Sequence, residues 1–144
     1  MLFLISKYIF INMIPTAIHL TYKTKDVSMF PKKYAKGYDS INKYLSNYTI
    51  IIYDDDELHS YVKEYLKDND SVYNIFMNQP MIIKIDIFRY LILYLYGGFY
   101  MDLDLIWSNE PSFDLSMSVI LAKEKTFNSL IVNSNIKYDK KLKN

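Results

Sequence analysis

Two acids one residue apart, Asp102 and Asp104, follow closely on a glycine pair, Gly97-Gly98, in a chain of 144 residues that has only three glycines. In an extended segment alternate side chains share a face, so both carboxylates point one way with their Cα atoms ~6.5 Å apart. Carboxylates so placed repel unless a cation sits between them and a partner. A hard divalent cation, Mg²⁺ or Mn²⁺, is the natural guest, with waters and a substrate diphosphate completing its shell. Upstream, Asp86 and Arg89 are three apart and share one helix face. Arg89 is the single Arg beside sixteen Lys. Its planar fork suits carboxylate or phosphate in a way Lys cannot reproduce. Each feature also has a plain structural reading. The acids could be a solvated strand end. Asp86 and Arg89 could be a buried pair tying the helix down, a device that is rarely a net stabiliser because both ions lose their hydration.

The segments around these residues must position them. Ile14 to Tyr22 (IPTAIHLTY) reads as a buried strand. Lys32 to Leu45 has apolar or aromatic residues at Tyr34, Tyr38, Ile41, Tyr44 and Leu45, a helical spacing weakened by Gly37. Tyr48 to Tyr53 is β-branched and aromatic, a second buried strand. Asp54-Asp55-Asp56-Glu57 opens a helix to about Leu66, with acids at the positive end of its dipole. Ser71 to Asn78 suggests a short helix. Pro80, at the first helical position, opens a longer one that runs to Tyr96 and stops at Gly97-Gly98. That helix is apolar nearly all round, with Lys84, Asp86 and Arg89 its only charges, which predicts burial. Phe99 to Leu105 and Val119 to Ala122 read as further strands. The order β-α-β-α-α-β-β implies an α/β layered domain with a mostly parallel sheet. The acid pair then falls at a strand end, where such folds place ligands.

The run Asp86-Ile87-Phe88-Arg89-Tyr90, Leu93-Tyr94, Gly97-Gly98-Phe99-Tyr100-Met101-Asp102-Leu103-Asp104 resembles the D-x-x-R-Y…L-Y…G-G-x-Y-x-D-x-D core of the DXD-containing glycosyltransferases. That family includes yeast initiating mannosyltransferases, capsular sugar transferases and, more distantly, the clostridial glucosylating toxins. Ile14 to Thr24 resembles the family's opening I-P-x-I-I-H-Q-x-W-K-T, and Tyr53-Asp54-Asp55-Asp56 its W-x-D-D. The resemblance covers about residues 13 to 135. It implies a GT-A (Rossmann-like) fold, a UDP- or GDP-sugar donor, Mn²⁺ or Mg²⁺, a glycan or protein acceptor, and transfer with retention. By the same resemblance Asp86 and Arg89 grip the donor sugar or its diphosphate. Asp102 holds hydroxyls and the metal through water, Asp104 ligates the metal, Tyr100 supports the loop, and Tyr22 stacks on the nucleobase. Tyr22 stands where the family has Trp, Leu20 where it has Gln, and Ile85 where it has Ala. The chain ends 40 residues after Asp104, where family members continue with acceptor-side segments. The alternative reading is therefore a truncated or degenerate member that binds donor and metal without efficient transfer.

Composition sets outer bounds. With 51% hydrophobic and 23% charged residues, one packed domain is expected. The formal charge of +1 argues against a general nucleic-acid binder. No cysteine is present, which excludes disulfides and thiolate chemistry and leaves the compartment open, with the cytoplasm favoured. Met1 to Ile14 is apolar but too short and interrupted to span a bilayer. It is either an apolar cap with weak membrane association or, in residues 1–12, an extension upstream of a start at Met13. Residues 136–144 read as a polar tail. His19 and Trp107 are expected in the core and His59 on the surface. A dehalogenase-type phosphotransferase also uses D-x-D, but there the motif comes early, whereas here it is late and behind Gly-Gly-x-Tyr. A membrane-surface module without chemistry fits poorly with the polar set from Asp86 to Asp104.

Overall fold

A computed structural model describes residues 14–116. β1 (Ala17–Thr21) is followed by a 3-10 turn at Val27–Met29, α1 (Lys32–Tyr44), β2 (Thr49–Tyr53), α2 (Asp55–Tyr65), α3 (Asp70–Met77), α4 (Met81–Tyr96) and β3 (Phe99–Tyr100). The three strands form a parallel sheet in the order β2-β1-β3. The α/β class and the parallel sheet match the expectation and are consistent with a GT-A-like domain.

Alternation along the strands divides the core into two layers. Ile18 and Leu20, both fully buried, pack with Ile41, Leu45, Phe30, Met101 and Leu103 on the α1 side. On the other side Tyr53 packs with Leu58, Val62, Phe76, Phe88, Leu91 and Ile92 from α2, α3 and α4. His19, between Ile18 and Leu20 in β1, points to this second layer.

The local signals place the helices. The Asp54 side chain accepts from the Glu57 N–H at 2.9 Å while Glu57 reaches back to the Asp54 N–H, a reciprocal cap worth about 0.5–2 kcal/mol. The Asn69 side chain caps α3 by accepting from the Val72 N–H, with no bond returned. α4 ends at Gly97, whose φ of 66° falls in the left-handed region that a Cβ disfavours.

Five sequence expectations change. The second strand, expected to be buried, is exposed at Thr49, half-buried at Ile50 to Ile52 and buried only at Tyr53, because among the described residues it pairs with β1 alone. The first strand begins at Ala17 rather than Ile14. Pro80 is extended (ψ 149°) and caps α4 rather than joining it. The strand expected over Phe99 to Leu105 stops at Tyr100, because the chain turns there and the Leu105 N–H closes onto the Asp102 carbonyl at 3.1 Å. α4 is apolar all round yet not buried all round. Only one side meets the sheet and α2, and Ile83, Ile87, Tyr90 and Tyr94 are 40–75% exposed. Val119 to Ala122 lies outside the described residues. Among those described, no helix is long and apolar enough to cross a membrane.

Candidate functional site

The strand order reverses at β1. Its crossover through α1 leads to β2 on one side, and the longer crossover through α2, α3 and α4 returns to β3 on the other. Open α/β sheets bind ligands in the crevice outside the carboxyl ends of the strands at such a reversal. Here those ends are Thr21 and Tyr100, joined by a hydrogen bond of 2.7 Å between their hydroxyls.

Arg89 lies beside this bond. Its guanidinium carbon is 4.8 Å from the centre of the Tyr100 ring. One terminal nitrogen, Nη2, is 3.0 Å from Asp86 Oδ1 and 3.5 Å from Asp102 Oδ1. Its Nε is buried and has no hydrogen-bond partner. The buried Asp–Arg pair considered from sequence is not what forms. The Asp86 side chain is 47% exposed and that of Arg89 29%. A pair this open contributes at most about 1 kcal/mol. Anchoring the helix is therefore a weak account of the chain's single Arg. A guanidinium stacked on an aromatic ring, held by two carboxylates and still partly exposed, is placed to meet an anion or a polar sugar edge. Burial pushes the Tyr100 hydroxyl above the ordinary tyrosine range, with the Thr21 bond acting against it, so the hydroxyl stays protonated beside Arg89.

Asp102 and Asp104 lie in the turn beyond β3 rather than in a strand. The alternation nevertheless persists: Met101 and Leu103 are buried, Asp102 and Asp104 exposed. Asp104 Oδ2 is held by Lys33 Nζ of α1 at 3.0 Å. That hydrogen bond raises the Lys33 pKa. Thus Asp86, Arg89, Tyr100 and Asp102 form one connected group, while Asp104 is tied to the opposite helix layer. Tyr22, just past β1, packs edge-on against Phe30 at 4.7 Å between ring centres and against Tyr34 at 5.2 Å. Trp107 packs with Phe113 beside the first core layer, as expected for a core residue, and its indole N–H has no partner. His19 is buried, as expected. His59 is half-buried, with its ring edge-on to Phe76, rather than a surface residue.

Sequence reading missed the seat of the acid loop. A Cβ on Gly37 would overlap the carbonyl oxygen of Leu103, so this position admits only glycine without displacing the loop. Ser40, one turn on, donates to the Gly37 carbonyl at 2.7 Å and accepts from the Trp107 N–H at 2.9 Å. Lys33, Gly37 and Ser40 thus line one face of α1 and hold residues 103–107. A Lys-x₃-Gly-x₂-Ser spacing was the available signal.

The two carboxylates suit a hard divalent cation in donor type, both being exposed oxygen ligands. Among the described residues no three His, Asp or Glu side chains gather closely enough to hold a metal unaided. A cation here would need further ligands from outside these side chains.

Residues 31–133 match the glycosyltransferase sugar-binding region containing the DXD motif. Mannosyl phosphorylinositol ceramide synthase CSH1 of Saccharomyces cerevisiae is 34% identical over 96 residues, 65% of this chain and 23% of that protein. Inositol phosphoceramide mannosyltransferase 3 of Schizosaccharomyces pombe is 32% identical over 96 residues, 63% of this chain and 24% of that protein. Mannosyl phosphorylinositol ceramide synthase SUR1 of Saccharomyces cerevisiae is 33% identical over 94 residues, 65% of this chain and 23% of that protein. The chain spans about a quarter of the length of these relatives. No solved structure matches significantly.

Proposed function

Because the chain belongs to the glycosyltransferases whose sugar-binding region contains the DXD motif, we propose that it forms the donor-binding part of an enzyme that transfers a hexose from a nucleotide sugar with retention. The observation that carries this reading is the Arg89 guanidinium, stacked on Tyr100 between Asp86 and Asp102 at the reversal of the sheet. In this role Arg89 uses its guanidinium fork to hold the donor and to stabilise negative charge as the sugar–phosphate bond breaks. Asp86 orients Arg89 and accepts from sugar hydroxyls. Asp104 and Asp102 would hold Mn²⁺ or Mg²⁺, with Lys33 releasing Asp104 as it binds. When bound, the cation supplies Lewis-acid stabilisation of the diphosphate leaving group. Tyr22 offers an aromatic face for the nucleobase on the β1 side of the crevice.

The relatives' names carry mannosyl transfer to inositol phosphoceramide. A mannosyl donor and a phosphoinositol lipid acceptor therefore join glycans and proteins among the first compounds to test. A second reading is donor binding without efficient transfer by these 144 residues alone, which span about a quarter of the relatives' length. Calorimetric titration with UDP- and GDP-sugars, with Mn²⁺ or with EDTA, tests the donor site, and a product assay separates the two readings. No saturable binding of any nucleotide sugar in Mn²⁺ would remove both.

A further inference from the structure

We infer that His19 is a positioning residue for this site, its imidazole clamping the end of α4 so that Arg89 meets Asp102. The consequence for donor binding rests on the function proposed above; the clamp itself does not.

The ring is fully enclosed, with 1% of the residue exposed. Nε2 is 3.0 Å from the Gly97 carbonyl oxygen, and Nδ1 is 3.0 Å from the Tyr53 hydroxyl. A carbonyl can only accept, so Nε2 carries the hydrogen. In a neutral imidazole Nδ1 is then bare and accepts from the Tyr53 O–H. Both neighbours favour this state. Burial lowers the His19 pKa, only partly opposed by the Gly97 bond, and burial raises that of Tyr53 so that its hydroxyl keeps its proton.

The same residue grips the chain again through its backbone. The Met101 N–H donates to the His19 carbonyl at 3.1 Å. One residue therefore fixes position 97, the cap that ends α4, and position 101, the residue before Asp102. The link between them is Gly98, Phe99 and Tyr100. Gly98 has φ 85°, and a Cβ there would lie 3.2 Å from His19 Nε2 and 2.6 Å from the Ala17 carbonyl oxygen, so the corner rests directly on β1. The helix carrying Asp86 and Arg89 enters this clamp, and the turn carrying Asp102 leaves it. The Arg89–Asp102 contact of 3.5 Å stands at the limit of a hydrogen bond. A shift of under an ångström between α4 and β3 makes or breaks it. An apolar residue could fill the space of the ring, but it could not hold the Gly97 carbonyl.

Three substitutions in the full chain separate holding from filling. In His19→Gln the side-chain amide nitrogen reaches the place of Nε2 and can still donate to Gly97. In His19→Asn the amide reaches only the place of Nδ1, and His19→Leu has no donor. All three lower the melting temperature. Expected is faster amide exchange at Gly98 to Met101 in Asn and Leu than in Gln. Donor affinity, measured with UDP- and GDP-sugars in Mn²⁺, falls by about tenfold in Asn and Leu and much less in Gln. Nitrogen-15 NMR of the unaltered protein should show His19 protonated at Nε2 and bare at Nδ1, a reading that needs no variant to fold. A proton on Nδ1 with Nε2 bare, or identical exchange in the Gln and Asn proteins, would overturn the clamp. If the unaltered protein binds no nucleotide sugar, the functional reading fails while tautomer and exchange still decide the role of His19.

Discussion

Gly37 of α1 lies against the Leu103 carbonyl so closely that a methyl group on Gly37 would stand deep inside van der Waals contact with the oxygen. The loop bearing Asp102 and Asp104 is thus laid directly on a helix 66 residues earlier in the chain. Gly37→Ala must push one from the other, at a cost of about 1–3 kcal/mol. The expected result is a lower melting temperature together with a loss of metal-dependent donor binding in the protein that remains folded. Thermal melts run beside calorimetry check it. Unchanged binding would mean that the loop's position on α1 does not matter to the site.

Arg89→Lys separates donor recognition from helix anchoring. The side chain is partly open and its ion pairs contribute under about 1 kcal/mol, so the melting temperature should change little. Donor affinity should fall about tenfold or more, because Lys loses both the fork and the stack on Tyr100. A large drop in stability with unaltered donor affinity in the folded fraction would return Arg89 to a structural role.

Asp104→Asn removes a charge that Lys33 now balances at an exposed pair. The fold should persist, since neither partner is buried. Mn²⁺-dependent donor binding should weaken, because a hard cation loses an anionic ligand. Titration of the variant with and without EDTA reads this. Donor binding that is equally tight in EDTA would remove the metal from the site.

The His19 pKa is depressed from 6.5, first by burial. The unfolded chain therefore binds more protons than the folded one in the interval below 6.5. Stability must rise with pH there. The contribution of neutral His19 is complete above the unfolded value and is lost as the pH falls toward the folded one. Denaturant titrations between pH 4.5 and 7.5, on the order of three points per pH unit, should show this slope, and His19→Gln should flatten it. An unchanged slope in that variant would assign the effect to other groups.

Local chemistry carried most of the element plan. The acids at Asp54 to Glu57 cap α2, the β-branched run at Thr49 to Tyr53 makes a strand, though one buried only at Tyr53, and the glycine pair stops α4. These depend on neighbours within a few residues, which a sequence displays. The pairing of Asp86 with Arg89 was legible for the same reason, since residues three apart on a helix must meet. The family motifs were equally local.

Tertiary contacts decided where those parts met. Gly37 looked like a flaw in a helix until Leu103 came to rest on it. The strand expected over Phe99 to Leu105 was cut short because the backbone there leans on α1 and turns, although its side chains still alternate. Lys33, 71 residues before Asp104, carries no local mark of its partner. α4 kept one apolar side exposed because a helix can turn only one face to a three-stranded sheet and its neighbour α2. Spacing along the chain fixes which side chains share a face. It does not fix which distant face they will meet, because that is chosen by closing long loops around a common core.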